Sequence, residues 1–249
     1  MGRSFWIRSV PFRPRPRNDV PTTDIPDRFS FVSPFLTEGV HVLPFLAFIL
    51  SYLLGSTPFG LLLGLAAGKD VRLHGSRNIG ATNVWRVCGK SWGLAAFALD
   101  FLKGLAAVLL VNRFLSGGLP PPYPGIIAAV GAVIGHNFPI WLRFKGGKGV
   151  ATSAGAVAGL MWAPFLAAIG VFIITVLASR YISLGSMLAS LALVAACLLL
   201  LPDPLRFNLP LVVLSAALSA MLIYRHRQNI SRILAGTENK FPPPKNKAE

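Results

Sequence analysis

Residues 150–179 read VATSAGAVAGLMWAPFLAAIGVFIITVLAS, and their reading decides the fold. The stretch is apolar throughout. It is longer than one membrane span of about 20 residues and short for two. Read as one helix, it is kinked at Pro164. Read as two short helices, it turns near Trp162-Ala163-Pro164. The choice sets a parity. Two helices give seven spans and one gives six, and parity decides on which side the C-terminal tail emerges.

Other apolar runs flank this stretch, at about 42–67, 92–114, 125–141, 182–201 and 209–224. Of the 249 residues, 53% are hydrophobic and 13% charged, and mean hydropathy is +0.61. A soluble domain carries about 25% charged residues. The pattern is that of a polytopic membrane protein. Ala/Leu/Gly runs with little strand-like alternation favour an all-α helix bundle over a barrel. The basic residues then choose the parity. With seven spans, loops 68–91, 142–149 and 180–181 and the tail from 225 share one face. Arg72, Arg86, Lys145, Lys148, Arg180 and Arg225 all lie there, whereas the opposite loops hold Arg113 and Arg206. The positive-inside rule makes the first face cytoplasmic. Six spans would move the tail and its cations across. Seven are therefore expected. Residues 40–225 form the membrane domain and residues 226–249 a cytoplasmic C-terminal segment. Residues 1–39 are Arg- and Pro-rich and read as disordered. They would lie opposite the basic face, against the same rule.

Three polar stretches interrupt the apolar runs. Residues 75–86, GSRNIGATNVWR, offer Ser76, Asn78, Thr82 and Asn83 with Arg77 and Arg86, and Gly75 and Gly80 for a turn. No acid lies between Asp70 and Asp100. Donors and cations without acids compose an anion site. Residues 143–152, RFKGGKGVAT, place Lys145 and Lys148 among Gly146, Gly147 and Gly149, just before a helix start. Such a loop can aim N–H and ammonium groups at a phosphate. It lacks the GxxxxGK[ST] spacing of a P-loop. Residues 225–240, RHRQNISRILAGTENK, put His226 and Asn229 on one helical face, with Glu238 after Gly236. Taken singly, each stretch also reads as a solvated basic loop or a surface helix.

The spans carry polar residues too. Asp100 and Lys103 are three apart on one helix face, as an ion pair or a functional contact. His136 reads as a satisfied interior histidine, and Ser56 as a hydroxyl bonded to its own helix. The net charge of +15 is spread over several loops, which suits anionic lipid rather than nucleic acid. Cys88 and Cys197 lie far apart, with no metal-ligand spacing, and read as free thiols.

Together the three stretches, with GSTPFG at 55–60 and LDFLKG at 99–104, resemble the motifs of the bacterial PlsY family of acyl-phosphate:glycerol-3-phosphate acyltransferases. The resemblance covers about residues 43–240. Arg77 stands where the family often has Gly. The resemblance implies transfer of an acyl group from acyl phosphate to the 1-hydroxyl of glycerol 3-phosphate. Lysophosphatidic acid and phosphate are the products, formed at the cytoplasmic face of the inner membrane. It implies no cofactor, no metal and no obligatory protein partner. Carried onto this chain, it makes Ser76, Arg86, His226 and Asn229 catalytic. Asn78, Gly80, Thr82, Asn83, Lys145, Gly146, Gly147, Lys148, Gly149 and Glu238 would bind substrate. The hydroxyl proton could go to His226 or to the substrate's own phosphate. An HxxxxD acyltransferase is excluded, because Leu46, Ile79, Trp141 and Ser231 stand five residues after the four histidines. A phosphate or organic-anion transporter is the alternative. It would need sites near the midplane and repeated halves, and the polar stretches lie at one face instead.

Overall fold

A computed structural model describes residues 34–242. Residues 1–33 and 243–249 lie outside the described residues, and with them most of the expected disordered extension. The described residues form ten α-helices, one 3-10 turn and no strand. In order these are α1 (Pro34–Ser56), α2 (Phe59–Ala66), α3 (Ala81–Cys88), α4 (Lys90–Phe114), α5 (Tyr123–Asn137), α6 (Val150–Leu160), α7 (Trp162–Ser179), α8 (Ile182–Leu200), α9 (Leu209–Arg225) and α10 (Arg227–Leu234). The first helix thus starts within the segment expected to be disordered.

The deciding stretch is two helices. The break falls at Met161 (φ −149°, ψ 77°), one residue before the expected turn. Pro164 sits in the first turn of α7, where its missing N–H leaves no bond unmade. Met161 is buried, with its sulfur 3.3 Å from Cys197 Sγ on α8. Helix α6 has only 11 residues. At about 1.5 Å per residue it covers roughly half of a 30 Å hydrocarbon core. Among the described residues five spans are long and apolar enough to cross a membrane, or six if the bent α9–α10 pair counts as one. The half-length α6 adds a further apolar leg, which brings the count to about the seven expected.

Helices pack closely through small residues, as they do where no hydrophobic effect drives them together. Ala47, Ala107, Ala128, Ala132 and Ala156 are buried at the centre, while Leu177 and Leu199 are about four-fifths exposed on the outside, where lipid would lie. A β-carbon at Gly55 would collide with the Ala132 carbonyl, and one at Gly155 with the Phe101 carbonyl. The α1–α5 and α4–α6 contacts therefore require glycine at these points.

The first span is broken. Pro58 lacks an N–H and disfavours helical geometry at Thr57, so α1 ends and α2 restarts at Phe59. At this break the Thr57 carbonyl accepts from Phe59 N at 3.1 Å and from Lys103 Nζ on α4 at 2.8 Å. Lys103 Nζ also lies 2.8 Å from Asp100 Oδ1, and both side chains are almost fully buried. A single such charge at mid-membrane costs about 2.5–3.5 kcal/mol, so the pairing is a condition of burial. Ser56 and His136 are not satisfied as expected. Neither Ser56 Oγ nor His136 Nδ1 has a hydrogen-bond partner among the described residues.

Candidate functional site

The polar stretch 75–86 folds as a turn leading into α3, which was not anticipated as a helix. Asn83 organises it. Its side-chain amide donates to the carbonyls of Val71 (2.9 Å), His74 (3.2 Å) and Asn78 (2.9 Å). Its Oδ1 accepts from Ser76 N at 2.8 Å. Asn78 Oδ1 accepts from Gly80 N at 2.8 Å, a local turn ahead of α3. The first intrahelical bond of α3 starts at Asn83 N. The N–H groups of Ala81 and Thr82 are therefore free at the helix N-terminus.

The glycine-rich loop is held from below and above. Gly146 N donates to Asn137 O (3.2 Å) and Gly147 N to His136 O (3.1 Å). Arg225 donates to the carbonyls of Gly146 and Gly147 and lies over the Phe138 ring. The expectation that the Gly146 and Gly147 amides face a phosphate is corrected here, because both are engaged by the end of α5. The amides left free are those at the start of α6. Ser153 N makes its first bond, to Gly149 O, at 2.7 Å. Lys145 is exposed on the outer side of the loop.

The tail closes the arrangement. Glu238 accepts from Asn229 Nδ2 (2.6 Å), Ser183 Oγ (2.8 Å) and Arg232 Nε (2.7 Å). Asn229 Oδ1 accepts in turn from Lys148 Nζ. His226 Nδ1 lies 2.8 Å from Leu222 O. A carbonyl only accepts, so Nδ1 carries the proton and Nε2 keeps a lone pair. Beyond Glu238, Phe241 N donates to Arg180 O at 2.7 Å, and the Phe241 ring meets Trp85 edge-on at 4.8 Å.

These elements enclose one cavity of about 350 Å³. Ser76, Asn78, Gly80, Thr82, Asn83, Arg86, Lys148, Gly149, His226, Asn229 and Glu238 line it, so all three polar stretches meet there. Lys145, Gly146 and Gly147 do not line it. The N-termini of α3 and α6 both open into it through Ala81, Thr82, Val150 and Ala151. The sequence reading missed Arg232 and Ser183, which also line the wall, as do Asp100, read as an ion pair or a functional contact, and His136, read as an interior histidine. Ser183 lies 55 residues from the carboxylate it bonds, so no local pattern marks it.

The charges fit an anion. Glu238 and Arg232 neutralise each other at 2.7 Å. Burial alone would raise the Glu238 carboxyl, but the bonds from Asn229, Arg232 and Ser183 outweigh it and hold the group below the usual range. Arg86 has no ion-pair partner among the described residues, and burial lowers its proton affinity. Burial pushes the Lys148 ammonium down to about 8, with Glu238 opposing and Arg232, Arg225 and Arg86 adding to the fall. Burial, then Lys148, pushes the His226 imidazole down to about 4.

Comparison with known proteins fits this geometry. The family model described as glycerol-3-phosphate acyltransferase matches residues 45–236. The chain belongs to that family. It is 46% identical over 196 residues to the glycerol-3-phosphate acyltransferase of Brucella suis, covering 78% of this chain and 92% of that one. It is 42% identical over 203 residues to the one from Desulforamulus reducens, covering 81% and 97%. The fold matches crystal structures of PlsY, an integral membrane glycerol 3-phosphate acyltransferase. The glycerol 3-phosphate form superposes with a TM-score of 0.72 at 36% identity, covering 80% of this chain and 95% of that one. The lysophosphatidic acid form gives 0.70 at 35%, with the same coverage. Membership favours the acyltransferase reading over the transporter.

The role of Asn83 as the clasp of the 71–80 loop can be tested by hydrogen exchange. Asn83→Ala leaves buried carbonyls without donors, at about 1–3 kcal/mol each. Amides in that loop should exchange at least about tenfold faster. Unchanged protection would remove Asn83 from this role.

Proposed function

We propose that this chain moves a fatty acyl group from an acyl phosphate to the 1-hydroxyl of glycerol 3-phosphate, at the cytoplasmic rim of the inner membrane. The observation that carries the reading is the single cavity. Two unneutralised cations, Arg86 and Lys148, and two helix N-termini converge there beside His226 and Asn229. Membership of the family, and structural neighbours described with glycerol 3-phosphate and lysophosphatidic acid, support it.

An apolar cavity of about 110 Å³ adjoins the polar one, sharing Phe97, Val150, Phe172 and Ser186 with it. It continues past Phe165, Ala168 and Leu193 between α6, α7 and α8. In this reading it takes the first carbons of the acyl tail, while the phosphate sits at the polar end.

The acceptor's 1-oxygen attacks the acyl carbonyl carbon, forming the ester bond. The bond from that carbon to the bridging phosphate oxygen breaks, and phosphate leaves with the electron pair. An acyl phosphate is already activated, so positioning and charge stabilisation are the main requirements. Arg86, Ser76 and the amides at the start of α3 hold one phosphate. Lys148 and the start of α6 hold the other and the developing oxyanion. His226 Nε2 accepts a hydrogen bond from the attacking hydroxyl, and Asn229 fixes Lys148. Burial and Lys148 lower the basicity of His226, which favours a substrate phosphate as the final proton acceptor, with His226 orienting the hydroxyl.

The deciding assay gives purified protein acyl phosphate and glycerol 3-phosphate. Lysophosphatidic acid and phosphate should appear in equal amounts. Arg86→Ala should lower kcat/KM at least about 100-fold without unfolding. Absence of product, or near-parent activity in folded Arg86→Ala, rejects the reading.

The pH profile follows from Lys148. Its ammonium is present below about 8 and lost above it, so kcat/KM should fall as pH rises through that value. Lys148→Arg should carry this limb to higher pH. A limb that stays in place would assign the titration to another group.

A further inference from the structure

The proposed reaction leaves unused a buried pair at the floor of the cavity. Asp100 on α4 and His136 on α5 both line it, although both lie within membrane spans. Asp100 Oδ1 is 3.5 Å from His136 Nδ1, and the two side chains are 3% and 5% exposed. Lys103 Nζ meets the same Oδ1 at 2.8 Å while it caps the broken first span. A structural pair between helices would have no need of a histidine, since Lys103 already neutralises the carboxylate.

The imidazole has a mechanical role. A β-carbon at Gly147 would collide with His136 Nε2, so the ring lies directly under that residue. The His136 carbonyl also accepts from Gly147 N. Arg225 donates to the carbonyls on either side of that amide, those of Gly146 and Gly147. Lys148 is the next residue, and its ammonium is aimed at Asn229. The turn of the loop at Gly147 thus sets where that ammonium points.

We propose that His136 is a positioning residue: its ring is the support that fixes Gly147 and so delivers Lys148 to the reacting phosphate. The inference deepens the acyl-transfer reading and rests on it. It makes a histidine buried inside the membrane part of the reaction's geometry. The ring's Nδ1 edge faces Asp100 on α4, 3.5 Å away, and its Nε2 edge faces the loop.

The test uses the full-length protein in detergent, with kcat counted per folded molecule. His136→Leu leaves the Asp100–Lys103 pair intact. It should lower kcat at least tenfold, with KM for glycerol 3-phosphate changed less than threefold and the thermal midpoint within a few degrees. His136→Phe keeps a ring beneath Gly147 and should recover kcat to within threefold of the parent. Parent-like kcat in His136→Leu, or equal losses in the Leu and Phe variants, would each overturn the proposal. Should His136→Leu not fold, Gly147→Ala pushes on the same ring from the loop side and must show the same kcat loss; parent-like kcat there overturns it. An inactive parent would instead reject the acyl-transfer reading itself.

Discussion

Helix α6 is too short to cross a bilayer, and the arrangement of the site depends on that shortfall. With 11 residues it leaves the cavity at Val150 and stops at Met161 inside the bundle. The chain then turns and α7 runs back the full way, to Arg180 beside the tail. This extra reversal returns the C-terminal segment to the face that holds α3. The start of α6 is placed by the same geometry, with free amides opening where Lys148 and Gly149 meet the cavity. One broken helix therefore supplies both the parity and one of the two anion-facing helix ends.

Around that end the protein arranges charge rather than a nucleophile. Glu238 is closed off by Arg232, Ser183 and Asn229, so its negative charge orients its neighbours and is unavailable to oppose an incoming phosphate. Lys148 is held by Asn229 through a neutral carbonyl oxygen, which keeps the ammonium in place without cancelling it. Arg86 stands opposite with no anion of its own among the described residues. Buried cations without counter-ions are unfavourable in an empty site, and an anionic ligand relieves that cost. The apolar cavity continues from the polar one along α7 and α8, so a molecule with a charged head and a fatty tail matches the combined space.

Much of this was legible in the sequence because it rests on composition and periodicity. The spans stand out as apolar runs, and the count of seven legs follows from the basic loops. Residue types that favour anions mark the three polar stretches. What was not legible depends on backbone hydrogen bonding and on contacts between distant segments. The sequence does not show that Gly146 and Gly147 give their amides to α5, or that the Asn83 side chain ties the 71–80 loop together. Arg232 and Ser183 line the cavity and bond Glu238, a grouping that no residue pattern marks. His136 looked like an ordinary interior residue because its neighbours, Asp100 and Gly147, come from other segments. The break falls at Met161, one residue before the expected Trp162-Ala163-Pro164 turn, because proline fits within the first turn of the following helix.

The most direct measurement is a sidedness map in sealed membrane vesicles. Single cysteines at Lys145 and Gln228, both exposed beside the cavity, and at Leu205, in the α8–α9 loop, are placed in a chain lacking Cys88 and Cys197. A thiol reagent that cannot cross the membrane should reach positions 145 and 228 from one and the same side, and position 205 only from the other. Reaction of 145 and 228 from opposite sides would mean that the loop and the tail never meet, and the cavity described here could not exist in the membrane.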